Sequence, residues 1–207
     1  MSGVTFQSII EKQQREPPPI CDDVSVQRIP VRDNGEELVD INTSGSTLVR
    51  MLPAVSTPFS GDLSSSAGLP HSSFIRQSVF KRLEGAVNNL RMILQRPGLV
   101  FTVVEGIRLK SEVEEEMYNY NKSTGGCVSF RVFDDEIDEF VDMGDLEVLT
   151  FSKNLTVEQQ KNRGALLTAC GYSGLINYPY EWWTFCFGTK YFCYYTGNKV
   201  AIYDEKL

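Results

Sequence analysis

The sequence predicts an α+β domain, a small antiparallel sheet with flanking helices. Three observations lead there. An apolar stripe at helical spacing spans about 73–95. β-branched runs follow at 99–104 and 128–133. A second helix-start signal at Thr156 is then followed by strand-like segments near the C-terminus.

Taken in order, residues 1–24 are polar and contain Pro17-Pro18-Pro19, which reads as a flexible arm ahead of a domain at 25–207. Short β-rich runs at 24–31 and 37–41 are separated by the turn signal Asp33-Asn34-Gly35. Residues 55–73, with Ser64-Ser65-Ser66, read as a surface loop. In the first helix Val79, Phe80, Leu83, Val87, Leu90, Ile93 and Leu94 recur every three or four positions, and Pro97-Gly98 ends it. The run 99–104 has the composition of a buried strand. Ser111 with Glu114 has capping-box spacing and predicts a second helix. Thr156 with Gln159 repeats that signal for a helix that reaches Cys170 and stops at Gly171. Segments 181–187 and 190–195, with Gly188-Thr189 between them, suggest a hairpin, and 199–203 a last strand.

Composition narrows the function. A net charge of −7 is the wrong sign for a general nucleic-acid binder, which needs clustered Lys and Arg against phosphate. No run approaches the roughly 18 apolar residues of a membrane span. The first residues, Met1-Ser2-Gly3-Val4, lack the basic-then-apolar pattern of a signal peptide, so the cytosol is the expected compartment. Five cysteines, an odd number with no CxxC pair, read as reduced thiols packed in the interior, Cys170, Cys186 and Cys193 among them. The single histidine, His71, argues against histidine-rich zinc sites and histidine-centred triads.

Four segments carry more specific information. They are Val103-Val104-Glu105-Gly106-Ile107-Arg108, Thr124-Gly125-Gly126-Cys127-Val128-Ser129, Val141-Asp142-Met143-Gly144, and the stretch from Asn162-Arg163-Gly164 to Tyr180-Glu181-Trp182-Trp183-Thr184. Together they resemble the D-alanyl-D-alanine dipeptidases of the vancomycin-resistance type: a strand ending in Asp-Gly-Tyr-Arg, the motif His-x-x-Gly-x-Ala-Val-Asp, a Met-Gly turn, and Glu-Trp-Trp-His. The segments occur in the family's order over about 75–207. The resemblance implies a dipeptidase-like fold, with Glu181 at the position of the general base and Arg108 at that of an arginine stabilising charge on the reacting carbonyl.

The departures matter as much. The family's zinc ligands fall on Lys122, Ser129 and Thr184, and hydroxyls and a protonated amine are poor donors for zinc. The resemblance therefore implies no zinc site and no cofactor. Cys127 and Cys186, two residues from Ser129 and Thr184, would with Glu181 make a soft-metal site, or are two structural thiols. Lys122 either sets a positive charge beside Glu181, where it holds a substrate carboxylate or, with its pKa lowered by burial, moves a proton as a second catalytic acid/base, or it is an exposed lysine in a polar turn. Glu181 and Arg108 are acid/base and anion anchor, or core polar residues, with Glu105 or Glu181 as partner for Arg108. The family's insertions at 112–121 and 145–156 are short here, which implies a more open pocket. Ser129, Thr184, Trp182, Trp183, Tyr180 and Cys127 are the substrate-binding candidates.

Three functions follow as expectations. One is a metal-independent enzyme doing acid/base chemistry (isomerisation, elimination or cyclisation) on an amino-acid- or peptide-like molecule, in specialised metabolism. The second is an inactive homologue that binds a ligand or a protein partner, which an acidic surface and a proline-bearing arm suit. The third is a dipeptidase with an unusual metal site.

Overall fold

The computed structural model describes residues 4–15, 23–52, 73–109, 120–145 and 149–206. The helix expected from Ser111, the loop at 55–73, Pro17-Pro18-Pro19, Cys21 and His71 lie outside them, apart from Ser73.

The fold is mixed α and β. The main sheet has strands β2 (Val49–Met51), β4 (Leu99–Glu105), β5 (Cys127–Asp134), β8 (Glu181–Cys186) and β7 (Ile176–Tyr178) in that order, with β6 (Glu139–Phe140) on the far end of β5. It is a mixed sheet, because β2 runs parallel to β4 while the other pairs are antiparallel. The small antiparallel sheet is a separate pair, β1 (Leu38–Asp40) with β3 (Phe74–Arg76).

Alternation along β5 and β8 divides the interior. Phe130 and Phe185 point to one face, where Phe130 stacks on both Phe101 and Phe185. Helices α3 (Gln77–Leu94) and α5 (Val157–Tyr172) bury Val79, Leu83, Val87, Leu90, Leu166 and Cys170 in the same cluster. The stripe that predicts α3 is therefore the buried one, although Ile93 lies off it and is exposed. The capping box of α5 is formed in both directions: Gln159 N donates to Thr156 Oγ1 at 3.2 Å, and Thr156 N to Gln159 Oε1 at 3.0 Å. Gly171 does not stop this helix. It lies within α5, and its missing β-carbon makes room for the Phe6 ring.

Phe6 belongs to α1 (Phe6–Arg15), whose Ile9 and Gln13 are buried; Gln13 Nε2 donates to Asn177 O at 2.9 Å. Residues 6–15 are thus packed helix rather than a flexible arm. The run at 24–31 is not a strand either. Asp23 caps a short helix, α2 (Val24–Gln27), by accepting from Ser25 N. Nor is 190–195 the second strand of a hairpin: β8 pairs back with β7, and Thr189 caps α6 (Lys190–Thr196), which Gly197 closes at φ 72°. The segment 199–203 is not a strand; it makes one isolated β-bridge, Ala201 with Val31.

Cys127 and Cys186 correct the expectation of reduced thiols. They stand directly opposite each other on β5 and β8 and form a disulfide. A separation of 59 residues hid the pairing in the sequence. Disulfides persist in oxidising surroundings, so the cytosolic expectation loses its cysteine argument. Cys170 and Cys193 are free and buried; burial raises both thiols, Cys193 to about 11. Among the described residues no helix is long and apolar enough to cross a membrane.

Closing a 59-residue loop makes this disulfide a substantial constraint on the unfolded chain. Reduction is expected to lower the unfolding free energy by about 2–4 kcal/mol. Urea unfolding with and without reductant measures this, and the Cys127→Ala/Cys186→Ala protein should match the reduced one.

Candidate functional site

The last residue of β4 is Glu105, a carboxylate at the end of an apolar strand. A register irregularity between Val103 and Glu105 sets it opposite Ser129 of β5. The side chain is fully buried, so its charge requires partners. Arg108, three residues on, supplies one: its Nε donates to Glu105 Oε1. Lys122 supplies the other. It lies in the single-turn helix α4 (Tyr120–Ser123), and its Nζ donates to Glu105 Oε2 at 3.0 Å. The same Nζ lies 3.2 Å from Glu181 Oε2, at the start of β8.

The turn that follows Lys122 is held from outside. Arg76, fully buried, donates from Nε to Thr124 O at 2.8 Å, from Nη1 to Glu36 O at 2.5 Å and from Nη2 to Asp204 O at 3.2 Å. Lys206 N donates to Ser123 O at 2.9 Å. Gly125, at φ 69°, turns the chain back into β5.

Ser129 and Thr184 face each other on β5 and β8, one step along from the disulfide on the same face. Their hydroxyl oxygens are 2.7 Å apart, and Thr184 Oγ1 donates to Glu181 Oε2 at 2.5 Å. The carboxylate fixes the direction of this chain. It can only accept, so Thr184 spends its proton on Glu181, and Ser129 must donate to Thr184.

The result is two glutamates and two cations in mutual contact. Burial alone would raise Glu105, but Lys122 and Arg108 outweigh it and hold its carboxyl below the usual range. Burial alone would lower Lys122, but Glu181 and Glu105 overcome both that and the repulsion from Arg108, and its pKa is raised. Lys122 is therefore a fixed ammonium. It is neither the exposed lysine of a polar turn nor an acid/base whose pKa burial has lowered. Glu181 is the most open member, with 25% of its side chain exposed against 11% for Arg108, 6% for Lys122 and none for Glu105. Both oxygens of Glu105 are engaged, whereas Glu181 Oε1 has no hydrogen-bond partner among the described residues.

The structure thus brings together Glu181, Arg108, Lys122, Ser129 and Thr184. The other candidates go elsewhere. Trp182 donates its indole N–H to Asp145 O at 3.2 Å and packs edge-to-face on Trp183. Both tryptophans are in the main core, Tyr180 packs beside Tyr178, and Cys127 is cross-linked. The third and fourth motif segments meet as well. Asn162 Nδ2 donates to Asp142 O at 2.9 Å, and Arg163 Nε to Met143 O at 2.5 Å. Glu105 is the functional residue that motif reading undervalued, as no more than a partner for Arg108. The signal was there: a charge closing a run as apolar as 99–104 has to be paired.

Zinc does not fit the positions the resemblance assigns to it. Lys122 already binds both glutamates there, and Ser129 and Thr184 are bonded to each other. The soft-metal alternative fails because the sulfurs of Cys127 and Cys186 are joined to each other. Among the described residues no three His, Cys, Asp or Glu side chains form a metal-ligand group. Compared with known proteins, the sequence matches no family model and no curated protein.

The cluster predicts a pH signature. A depressed carboxyl contributes stability that is complete above its ordinary value, 4.5, and is lost as pH falls through the lower folded value. A raised ammonium contributes stability that is complete below 10.5 and is lost as pH rises through the higher folded value. Glu105→Gln is expected to cost about 3–5 kcal/mol at neutral pH. In urea unfolding at a series of pH values, the gap between the parent and Glu105→Gln should narrow as pH drops below 4.5.

Proposed function

We propose that this chain is a metal-independent enzyme on a D-alanyl-D-alanine dipeptidase-like framework. Its chemistry is proton transfer on an amino-acid- or peptide-like small molecule, as in isomerisation, elimination or cyclisation, in specialised metabolism. One observation carries the reading: the Lys122 ammonium sits 3.0 Å from Glu105 and 3.2 Å from Glu181, where the resemblance would put a cation, and leaves one oxygen of Glu181 available.

In this reading each residue of the cluster has a role that its geometry supports. Glu181 takes a proton from the substrate through Oε1 and returns it at another atom. Lys122 and Thr184 fix its other oxygen and so orient the reacting one. Lys122 supplies a permanent positive charge next to the developing anion and transfers no proton itself. Arg108, aimed by Glu105, anchors an anionic group of the substrate. Ser129 and Thr184 keep the Glu181 side of the cluster polar.

A second reading has its own support. The four charges balance and satisfy one another, as in a retained framework that binds a ligand or a protein without turning it over.

A reaction in deuterated buffer separates the two. Purified protein is incubated with cell extract, and compounds are followed by chromatography and mass. The enzyme reading expects at least one compound to be altered or to take up deuterium, at a rate that falls about 10²-fold or more in Glu181→Gln. Identical profiles for parent, Glu181→Gln and a no-protein control would reject catalysis and leave binding.

A further inference from the structure

A second cationic feature lies apart from the glutamate cluster, between α3 and the end of α5. A cavity of about 360 Å³ is lined by Ser78, Lys81, Arg82, Gly85 and Ser173. Arg82 is the half-buried cation in its wall. Its guanidinium carbon lies 3.7 Å from the centre of the Phe187 ring, and Nη1 donates to Ser173 O at 2.8 Å. Among the described residues it has no carboxylate within ion-pair distance, and neither Nε nor Nη2 has a hydrogen-bond acceptor; Nε is buried. A buried guanidinium N–H without an acceptor is costly, and in natural proteins such donors are nearly always matched.

The surroundings suit an anion. Ser173 Oγ accepts from Asn89 Nδ2 at 3.1 Å, which leaves its own proton to donate. Lys81 is exposed at the rim and adds a mobile second charge. Gly85 keeps the floor open, since a β-carbon there would stand 3.3 Å from Ser173 Oγ. The acid whose charge acts on Arg82 is Glu36. Its oxygens accept from Ser78 N, from Ser78 Oγ at 3.0 Å, from Tyr203 Oη at 2.9 Å and from Asn34 Nδ2 at 3.4 Å, so it faces four donors of its own, and the two cations outnumber it.

We propose that this cavity binds a compact oxyanion, the phosphate ion or the phosphoryl group of a small metabolite. The anion accepts from Arg82 Nη2 and Ser173 Oγ, with Lys81 closing over it. On a chain of net charge −7, two adjacent cations in a cavity, with no ion-pair partner among the described residues, are a local reversal of sign that a bound anion explains. The site shares no residue with the Glu181 cluster and stands or falls independently of catalysis there.

The test is a titration of the full chain at low ionic strength, followed by backbone and arginine side-chain amide resonances. Inorganic phosphate, glycerol phosphate and acetate are the three probes. Saturable shifts at Arg82, Ser173 and Gly174 are expected with phosphate below about 10 mM. Lys81→Gln, an exposed change that leaves the fold intact, should weaken binding about tenfold, and Arg82→Gln should abolish it. Tighter binding of glycerol phosphate than of phosphate identifies a phosphoryl metabolite; the reverse identifies the free ion. Absence of saturation in the parent, equal affinity in Lys81→Gln, or acetate binding as tightly as phosphate would overturn the proposal. Because Lys81→Gln does not disturb packing, the result does not depend on how well Arg82→Gln folds.

Discussion

An ammonium taken out of water must be repaid by negative charge, and around Lys122 that requirement organises the polar half of the domain. Transfer of one such ion to the interior costs several kcal/mol even after relaxation. A single carboxylate at 3.0 Å recovers part of this; two carboxylates, at 3.0 and 3.2 Å, keep the group charged. Two glutamates around one lysine, one of them fully buried, would leave a net negative charge, and Arg108 balances it. The identities of Glu105, Arg108, Lys122 and Glu181 are thus mutually dependent, and loss of any one leaves another uncompensated.

The framework around the cluster serves to keep it in register. The disulfide pins β5 to β8 one step from the Ser129–Thr184 pair, so the two hydroxyls meet and the chain from Ser129 to Glu181 has one direction. Arg76 draws the turn after Lys122, the Glu36 segment and the C-terminal segment to a common point. Its three carbonyl acceptors belong to segments far apart in the chain, which makes it a structural clasp behind the site.

Much of this was legible from residue patterns, for physical reasons. The stripe of α3 and the capping box at Thr156 are local signals, and local signals survive folding unchanged. Short motifs picked out Lys122, Ser129, Thr184, Arg108 and Glu181, and these five meet. What escaped was non-local or ambiguous. The Cys127–Cys186 pair depends on strand register across 59 residues. In α6 the alternation of Tyr191, Cys193 and Tyr195 imitates a strand, and only the Thr189 cap and Gly197 stop reveal a helix. The run at 24–31 looks β-rich by composition, yet the carboxylate of Asp23 starts a helix there. For Trp182 and Trp183, aromatic character near a site does not separate a pocket wall from core, and both are core.

The central claim is that Lys122 is a permanently charged, desolvated ammonium held by two glutamates. Nitrogen-15 NMR of its side chain tests this most directly. The account predicts slowly exchanging Nζ protons and a titration midpoint above the 10.5 of a free lysine, moved downward when Glu181 is changed to Gln. Fast exchange with a midpoint at or below 10.5, indifferent to Glu181, would contradict it.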